Sequence, residues 1–189
     1  MKIKDYLLPY WRNLRPRDVD TVDTVVLHCT ELPTLEMARE YGERVQDPET
    51  ITGFSGHYYL DRDGSVFRYV PASRMAHHVV GWNARSIGIE MVNSGRYPNW
   101  FSSTSQVCTE PYPSEQISAL LELLRYLKSE HDMLCDLVRH SDVDTEMIPS
   151  SDDPAVLIRR KVDPGPMFPW EKVLRFWHDL QTESPGPPA

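Results

Sequence analysis

The apolar positions along this chain change period several times, and each change marks an element. Thr21 to His28 holds Val22, Val25, Val26 and Leu27, a β-branched run closed by an imidazole. A run of that kind predicts a central, buried strand. Helical spacing follows from about Leu35 to Val45, ahead of an Asp47-Pro48 stop. Two strand-like runs, 57–60 and 66–70, flank Asp61, Arg62, Asp63 and Gly64. The Asp-Gly pair supplies the backbone conformations of a tight hairpin. Ser86 to Val92 predicts another short strand, with the carboxylate of Glu90 inside the run. Ile117, Leu120, Leu121, Leu124 and Leu127 recur at helical spacing and predict a helix over 114–130 with one buried stripe. Ser114 is placed to cap it, and Glu115 lies in the first turn, where negative charge suits the helix dipole. Leu137 and Val138 predict a strand that delivers His140 at its end, and Trp170 to Leu180 a last helix.

This order predicts an α/β fold: a single domain with a central mixed β-sheet flanked by helices, and its site at strand ends. Residues 1–20 are charged, aromatic and Pro-interrupted, and are expected to pack as an irregular arm. The domain proper is expected over 21–181. A flexible tail is expected over 182–189, where Pro185, Pro187 and Pro188 fall. Asn93 to Tyr112 is long for a structureless connection, which suggests a functional loop. Its Trp100 and Phe101, with Tyr112, either line a cleft or pack the loop down. Residues 142–160, acidic and then basic, are expected to form an insert or lid.

Composition narrows the function. Of 189 residues, 40% are hydrophobic and 25% charged, ordinary for a globular domain with a real core. The net charge of -8 opposes nucleic acid and anionic membrane, and no basic patch interleaved with aromatics appears. Pro9, Arg12, Arg15 and Arg17 interrupt any signal-peptide run, and no stretch has the length of a membrane span. A cytoplasmic monomer is expected. Cys29, Cys108 and Cys135 form no CxxC, which argues against a disulfide framework or a Cys-only zinc site. Cys29 follows His28, but in a strand its side chain points to the opposite face, so a buried free thiol is expected.

The chemistry rests on His28, His140 and Asp163. Two imidazoles and a carboxylate can hold a zinc ion and leave a fourth position open for water, the arrangement of a catalytic zinc site. His28 and His140 each end an apolar run, and Pro164 and Gly165 pin Asp163. Glu90 is a candidate general base, or else a solvent-facing or ion-paired strand residue. Lys161, two residues before Asp163, is a candidate for stabilising an oxyanion, or one more charge in the run 159–161. One of His57, His77 and His78 could face the cleft. Asp142 or Asp144 could orient His140 through its second nitrogen, or serve as an alternative ligand. No GxSxG, Walker or HExxH motif occurs.

From about Val25 to Trp170 the chain resembles the AmpD-like, type 2 N-acetylmuramoyl-L-alanine amidases, which share their fold with peptidoglycan recognition proteins. The resemblance is carried by residues 25–30, 55–64 and 76–78, by Asn83 with 86–90, and by 161–166 with Phe168 and Trp170. It implies one zinc ion held by His28, His140 and Asp163, with Glu90 as catalytic glutamate and Lys161 supporting the transition state. It implies hydrolysis of the amide between the lactyl group of N-acetylmuramic acid and L-alanine, and peptidoglycan fragments as partners. His78, Asn83, Arg139 and Trp100 are the expected substrate contacts. The chain departs from the family in Arg139, which stands before His140 where glycine is usual. Val79 and Val80 follow His78 in place of Ala-Gly, and the interval from His140 to Asp163 is longer than in the shortest members. Gly56 stands where some relatives have tyrosine, which leaves Glu90 as the main candidate base. Two rivals stay open: a non-catalytic peptidoglycan-binding module, and a zinc amidase for another acyl-peptide.

Overall fold

The computed structural model describes residues 1–182. Its elements run β1 (Ile3–Asp5), a 3-10 turn (Val19–Thr21), β2 (Thr24–Cys29), α1 (Leu35–Glu43), β3 (Tyr58–Leu60), β4 (Val66–Arg68), β5 (Ser86–Met91), α2 (Ser114–Glu130), β6 (Asp136–Arg139), α3 (His140–Val143), β7 (Met147–Pro149), β8 (Leu157–Arg159) and α4 (Trp170–Thr182). Six strands form one mixed sheet in the order β1-β4-β3-β5-β2-β6. Only β3 and β4 are antiparallel neighbours; every other pairing in that sheet is parallel. The predicted single α/β domain with a helix-flanked mixed sheet is the observed one. All but one residue of the expected tail lies outside the described residues.

The two faces of the sheet are covered differently. Val25, Leu27, Ile87, Ile89 and Met91 point toward α2 and α4 and form the larger core with Leu120, Leu124, Val173 and Trp177. Each large apolar side chain buried there contributes roughly 1.5–3 kcal/mol. The opposite face is covered over half its width by α1 and the N-terminal segment, in a second cluster of Leu8, Tyr10, Leu14, Leu35, Ala38, Tyr59 and Tyr69. The rest of that face, over β5 and β2, stays open as a cavity.

Three expectations change. The N-terminal arm is not wholly irregular: Ile3–Asp5 pairs with β4 and becomes the sheet's edge strand. Arg39 anchors the following turn, donating to the carbonyls of Tyr6 and Leu7. Its guanidinium lies 4.0 Å from the centre of the Tyr6 ring. Three residues are too few to show a period, and the strand exists because β4 offers it an edge. Ser114 is the first residue of α2 and bonds Glu115, so it does not cap. Leu123, rather than Leu121, completes the fully buried stripe.

The expected insert is α3 followed by the antiparallel hairpin β7–β8. It is stapled to the long loop: Ser103 donates backbone and side-chain bonds to Asp152, and Ser151 N–H donates to the Phe101 carbonyl. Together they form one wall of the cavity.

Candidate metal centre

One transverse row of the sheet carries the chemistry. Tyr59 on β3 is in register with Glu90 on β5, and Glu90 with His28 on β2. Leu27 is in register with Arg139 on β6, so His140, the next residue, comes beside His28. Register partners in a sheet share a face, so three strands offer a phenol, a carboxylate and an imidazole in one line, and the first residue of α3, at the end of β6, adds a second imidazole. Asp163, from the segment after β8, completes the cluster.

The donor atoms form a compact triangle. Nδ1 of His28 lies 2.9 Å from Nδ1 of His140 and 3.5 Å from Oδ2 of Asp163, and the His140–Asp163 side is 3.1 Å. A tetrahedral zinc site with bonds of about 2.0–2.1 Å has donor–donor edges of roughly 3.3 Å. All three sides fall close to that length, and all three residues are buried. Oδ1 of Asp163 is buried without a hydrogen-bond partner. A buried carboxylate facing two imidazoles calls for a cation. The residues present fit zinc.

The surroundings tune these groups. Burial, with the neighbouring His140, lowers the His28 pKa to about 4, which keeps its imidazole neutral and able to ligate. Burial acts against the Asp163 carboxylate, but His140, His28 and Lys161 overcome it and hold its pKa well below the usual range. Glu90 lies 3.9 Å from His28 Nδ1. Burial, aided by the charge of Asp163 and opposed by Lys161, pushes its carboxyl up to about 8. A divalent cation beside it would draw that value back down. Lys161 lines the same cavity, and its charge reaches His28, Glu90 and Asp163.

The cavity has a volume of about 330 Å3. His28, His78, Asn83, Glu90, His140, Lys161 and Asp163 all line it. Within it, His78 turns its Nδ1 to His28 Nε2 at 2.9 Å. Asn83 bonds backward: its Oδ1 accepts from the backbone N–H groups of His78 and Val79. Asp144, not Asp142, stands behind His140, with Oδ2 3.7 Å from Nε2 while also pairing with Arg160.

Two expected substrate contacts lie outside this cavity. Arg139, the last residue of β6, is in register with Leu27 and so points to the helical face, where it pairs with Asp142 at 2.9 Å and stacks on Trp170. Trp100 packs against the second core cluster and donates its indole N–H to the Glu31 carbonyl. Its neighbour Phe101, 45% exposed, lines the cavity instead. Tyr112 packs the loop down, donating to the Pro164 carbonyl and meeting Phe168 edge-on. Of the other histidines, His77 lines the cavity, whereas His57 is fully buried and accepts from the Gly88 N–H. Cys29 is a buried free thiol, as expected.

Sequence reasoning missed three features. Tyr59 lines the cavity beside Glu90, and a Cβ at Gly56 would lie 2.8 Å from Glu90 Cγ, so a side chain there meets the candidate base. Strand alternation, which places Tyr58 and Tyr59 on opposite faces, was the available signal. The second feature is a buried clamp, Glu31–Arg96. Arg96 places all five N–H donors, two on the Glu31 carboxylate and three on Gln106 and the carbonyls of Arg159 and Arg160. It ties the long loop to the chain just before Lys161. The third is the apolar rim of Tyr41, Phe54 and Val80, the last 77% exposed.

The family described as N-acetylmuramoyl-L-alanine amidase matches residues 18–166. The chain is 29% identical over 129 residues to the N-acetylmuramoyl-L-alanine amidase AmiD of Escherichia coli K12, covering 61% of this chain and 41% of AmiD. It is also 29% identical over 129 residues to the 1,6-anhydro-N-acetylmuramyl-L-alanine amidase AmpD of Enterobacter cloacae, covering 66% of this chain and 56% of that protein. The match thus spans about half the length of these curated relatives. A crystal structure of a selenomethionine derivative of AmpD superposes with a TM-score of 0.64 at 22% identity, covering 94% of this chain and 93% of that one.

Proposed function

This chain belongs to the N-acetylmuramoyl-L-alanine amidase family, and from that premise we propose that it is a zinc-dependent hydrolase. It cleaves the amide joining the lactyl group of N-acetylmuramic acid to L-alanine. The observation that carries the reading is the donor triangle of His28, His140 and Asp163 with Glu90 3.9 Å from one corner.

His28, His140 and Asp163 would hold the ion. A zinc ion held there would supply Lewis-acid polarisation of the scissile carbonyl and acidity to the attacking water. Glu90 takes a proton from that water and afterwards gives it to the departing peptide amine. Its burial keeps the carboxylate unsolvated and therefore basic. Lys161 faces the same space and stabilises the oxygen on which negative charge develops. The rim of Tyr41, Phe54, Val80 and Phe101 offers apolar surface to the sugar or peptide.

Soluble peptidoglycan fragments are the substrate to test first, because one relative is named for a 1,6-anhydro-muramyl substrate. A defined muropeptide incubated with zinc-loaded protein is followed by mass spectrometry. The expected result is loss of the intact compound and appearance of a free L-alanyl peptide. Unchanged substrate with zinc shown to be bound overturns the reading in favour of a binding module or another acyl substrate. Equal or greater activity on intact sacculi overturns the preference for fragments.

A further inference from the structure

We propose that His78 is a positioning residue that fixes the ring nitrogen His28 offers to the metal. The proposal rests on the reading that His28 is a ligand. It replaces the expectation that His78 contacts substrate.

The geometry forms a relay in which each hydrogen bond decides the next. The Ser86 hydroxyl donates its one hydrogen to the Trp82 carbonyl at 2.8 Å. Its oxygen therefore accepts from His78 Nε2, 3.2 Å away, and the hydrogen of His78 resides on Nε2. That leaves Nδ1 of His78 as an acceptor. Its neighbour at 2.9 Å is Nε2 of His28, which must then carry the hydrogen. Nδ1 of His28 is left bare, and this is the atom that faces His140 and Asp163. Read from the metal end the result is the same: a ligand bound through Nδ1 keeps its hydrogen on Nε2 and needs an acceptor there. Metal-bound histidines usually find that acceptor in a carboxylate, a carbonyl or a water. Here a second imidazole supplies it.

The local structure is built around that ring. A Cβ at Gly88 would lie 2.6 Å from Cγ and Nδ1 of His78. Only glycine at this point of β5 lets the imidazole lie against the strand. Asn83 holds the backbone of His78 from the other side through its two accepted bonds. The rings of His28 and His78 meet nearly perpendicular, 5.1 Å between centres.

The test compares zinc affinity, by competition with a chromophoric chelator, in the native protein and in His78→Leu, His78→Asn and Ser86→Ala. Leucine fills the space without an acceptor, and affinity is expected to fall by roughly 10–100-fold. Asparagine places an amide oxygen near the site of Nδ1 and is expected to retain most of the affinity. Ser86→Ala is expected to fall between the two. Native affinity in His78→Leu, or equal loss in the Leu and Asn variants, overturns the proposal. A raised KM with native zinc affinity makes His78 a substrate contact instead. Imidazole 15N shifts of the native, metal-free protein serve if a variant does not fold. Hydrogens on Nε2 of both His28 and His78 support the relay, and any other pair of tautomers refutes it. Neither readout depends on turnover, so a native protein that binds zinc but leaves muropeptide intact would refute the proposed reaction and not the relay.

Discussion

The two faces of the sheet are made by the same strands, yet they do different work. Along β2, Val25 and Leu27 face α2 and α4, while the next residue, His28, faces the cavity; all three are buried. Along β5, Ile87 and Ile89 alternate with Gly88 and Glu90 in the same way. On the helical face, burial alone stabilises, and shape decides what is tolerated. On the cavity face, every buried polar atom needs a partner, and the partners come from far along the chain: His78, His140 and Asp163. Strand alternation thus separates a surface that holds the fold together from one that gathers the proposed site. A single step along the chain should therefore change the kind of defect a substitution causes.

The sharpest break of this comparison sets His28→Ala against Leu27→Ala. Loss of His28 removes one of the three proposed ligands and is expected to abolish both zinc binding and turnover while the fold persists. Leu27→Ala is expected to destabilise by about 2–5 kcal/mol while each folded molecule still binds zinc. Thermal unfolding beside zinc titration checks both. Loss of zinc affinity in folded Leu27→Ala protein would mean that the faces are not separate.

Within the cavity face, Glu90→Gln separates holding the ion from using it. The variant keeps the donor triangle and is expected to bind zinc normally. Turnover is expected to fall by roughly 10²–10⁴-fold, the usual worth of a positioned general base. Near-native turnover would remove Glu90 from the mechanism.

The cavity face should also be the acid-sensitive one. Burial lowers the pKa of His28 to about 4 and those of His57 and His78 well below 6.5. In the unfolded chain these groups take up protons near pH 6.5. Between pH 6.5 and about 4 the unfolded state therefore binds more protons, and stability falls as pH falls. The slope is about 1.4 kcal/mol per pH unit for each such histidine. The metal-free protein is expected to have a clearly lower Tm at pH 5 than at pH 7.5. Glu90, its carboxyl pushed up to about 8, works in the opposite sense between pH 8 and 4.5 and offsets about one of the three histidines. An unchanged Tm would show that the fold does not hold these imidazoles neutral.

What was legible in the sequence follows the same division. A β-branched run ending in His28, a short strand holding Glu90 and a helix with a leucine stripe all announce themselves by local period. Strand ends and a proline only suggested the donor set of His28, His140 and Asp163; the resemblance to the amidase family singled it out, and the three side chains do lie together. The Glu31–Arg96 clamp was not, because its partners lie 65 positions apart and neither belongs to a periodic run. The first strand was hidden for a related reason: three residues become a strand only beside β4. Trp100 was misplaced because an aromatic side chain in a loop carries no sign of which side it faces. Arg139 is different, since alternation along β6 places it on the same face as Leu137, in the core under the helices.

Arg139→Ala therefore gives the smallest expected effect and a clean test of alternation. The side chain is partly exposed, pairs with Asp142 and lies over Trp170 on the helical side. A surface ion pair of this kind contributes about 0–1 kcal/mol, and the contact with the indole adds roughly 0.5–1 kcal/mol. Tm is expected to drop slightly, while KM for a muropeptide and affinity for zinc stay native. A KM raised several-fold would mean that Arg139 reaches substrate from around the sheet edge. The boundary between the two faces would then run through β6 and not along it.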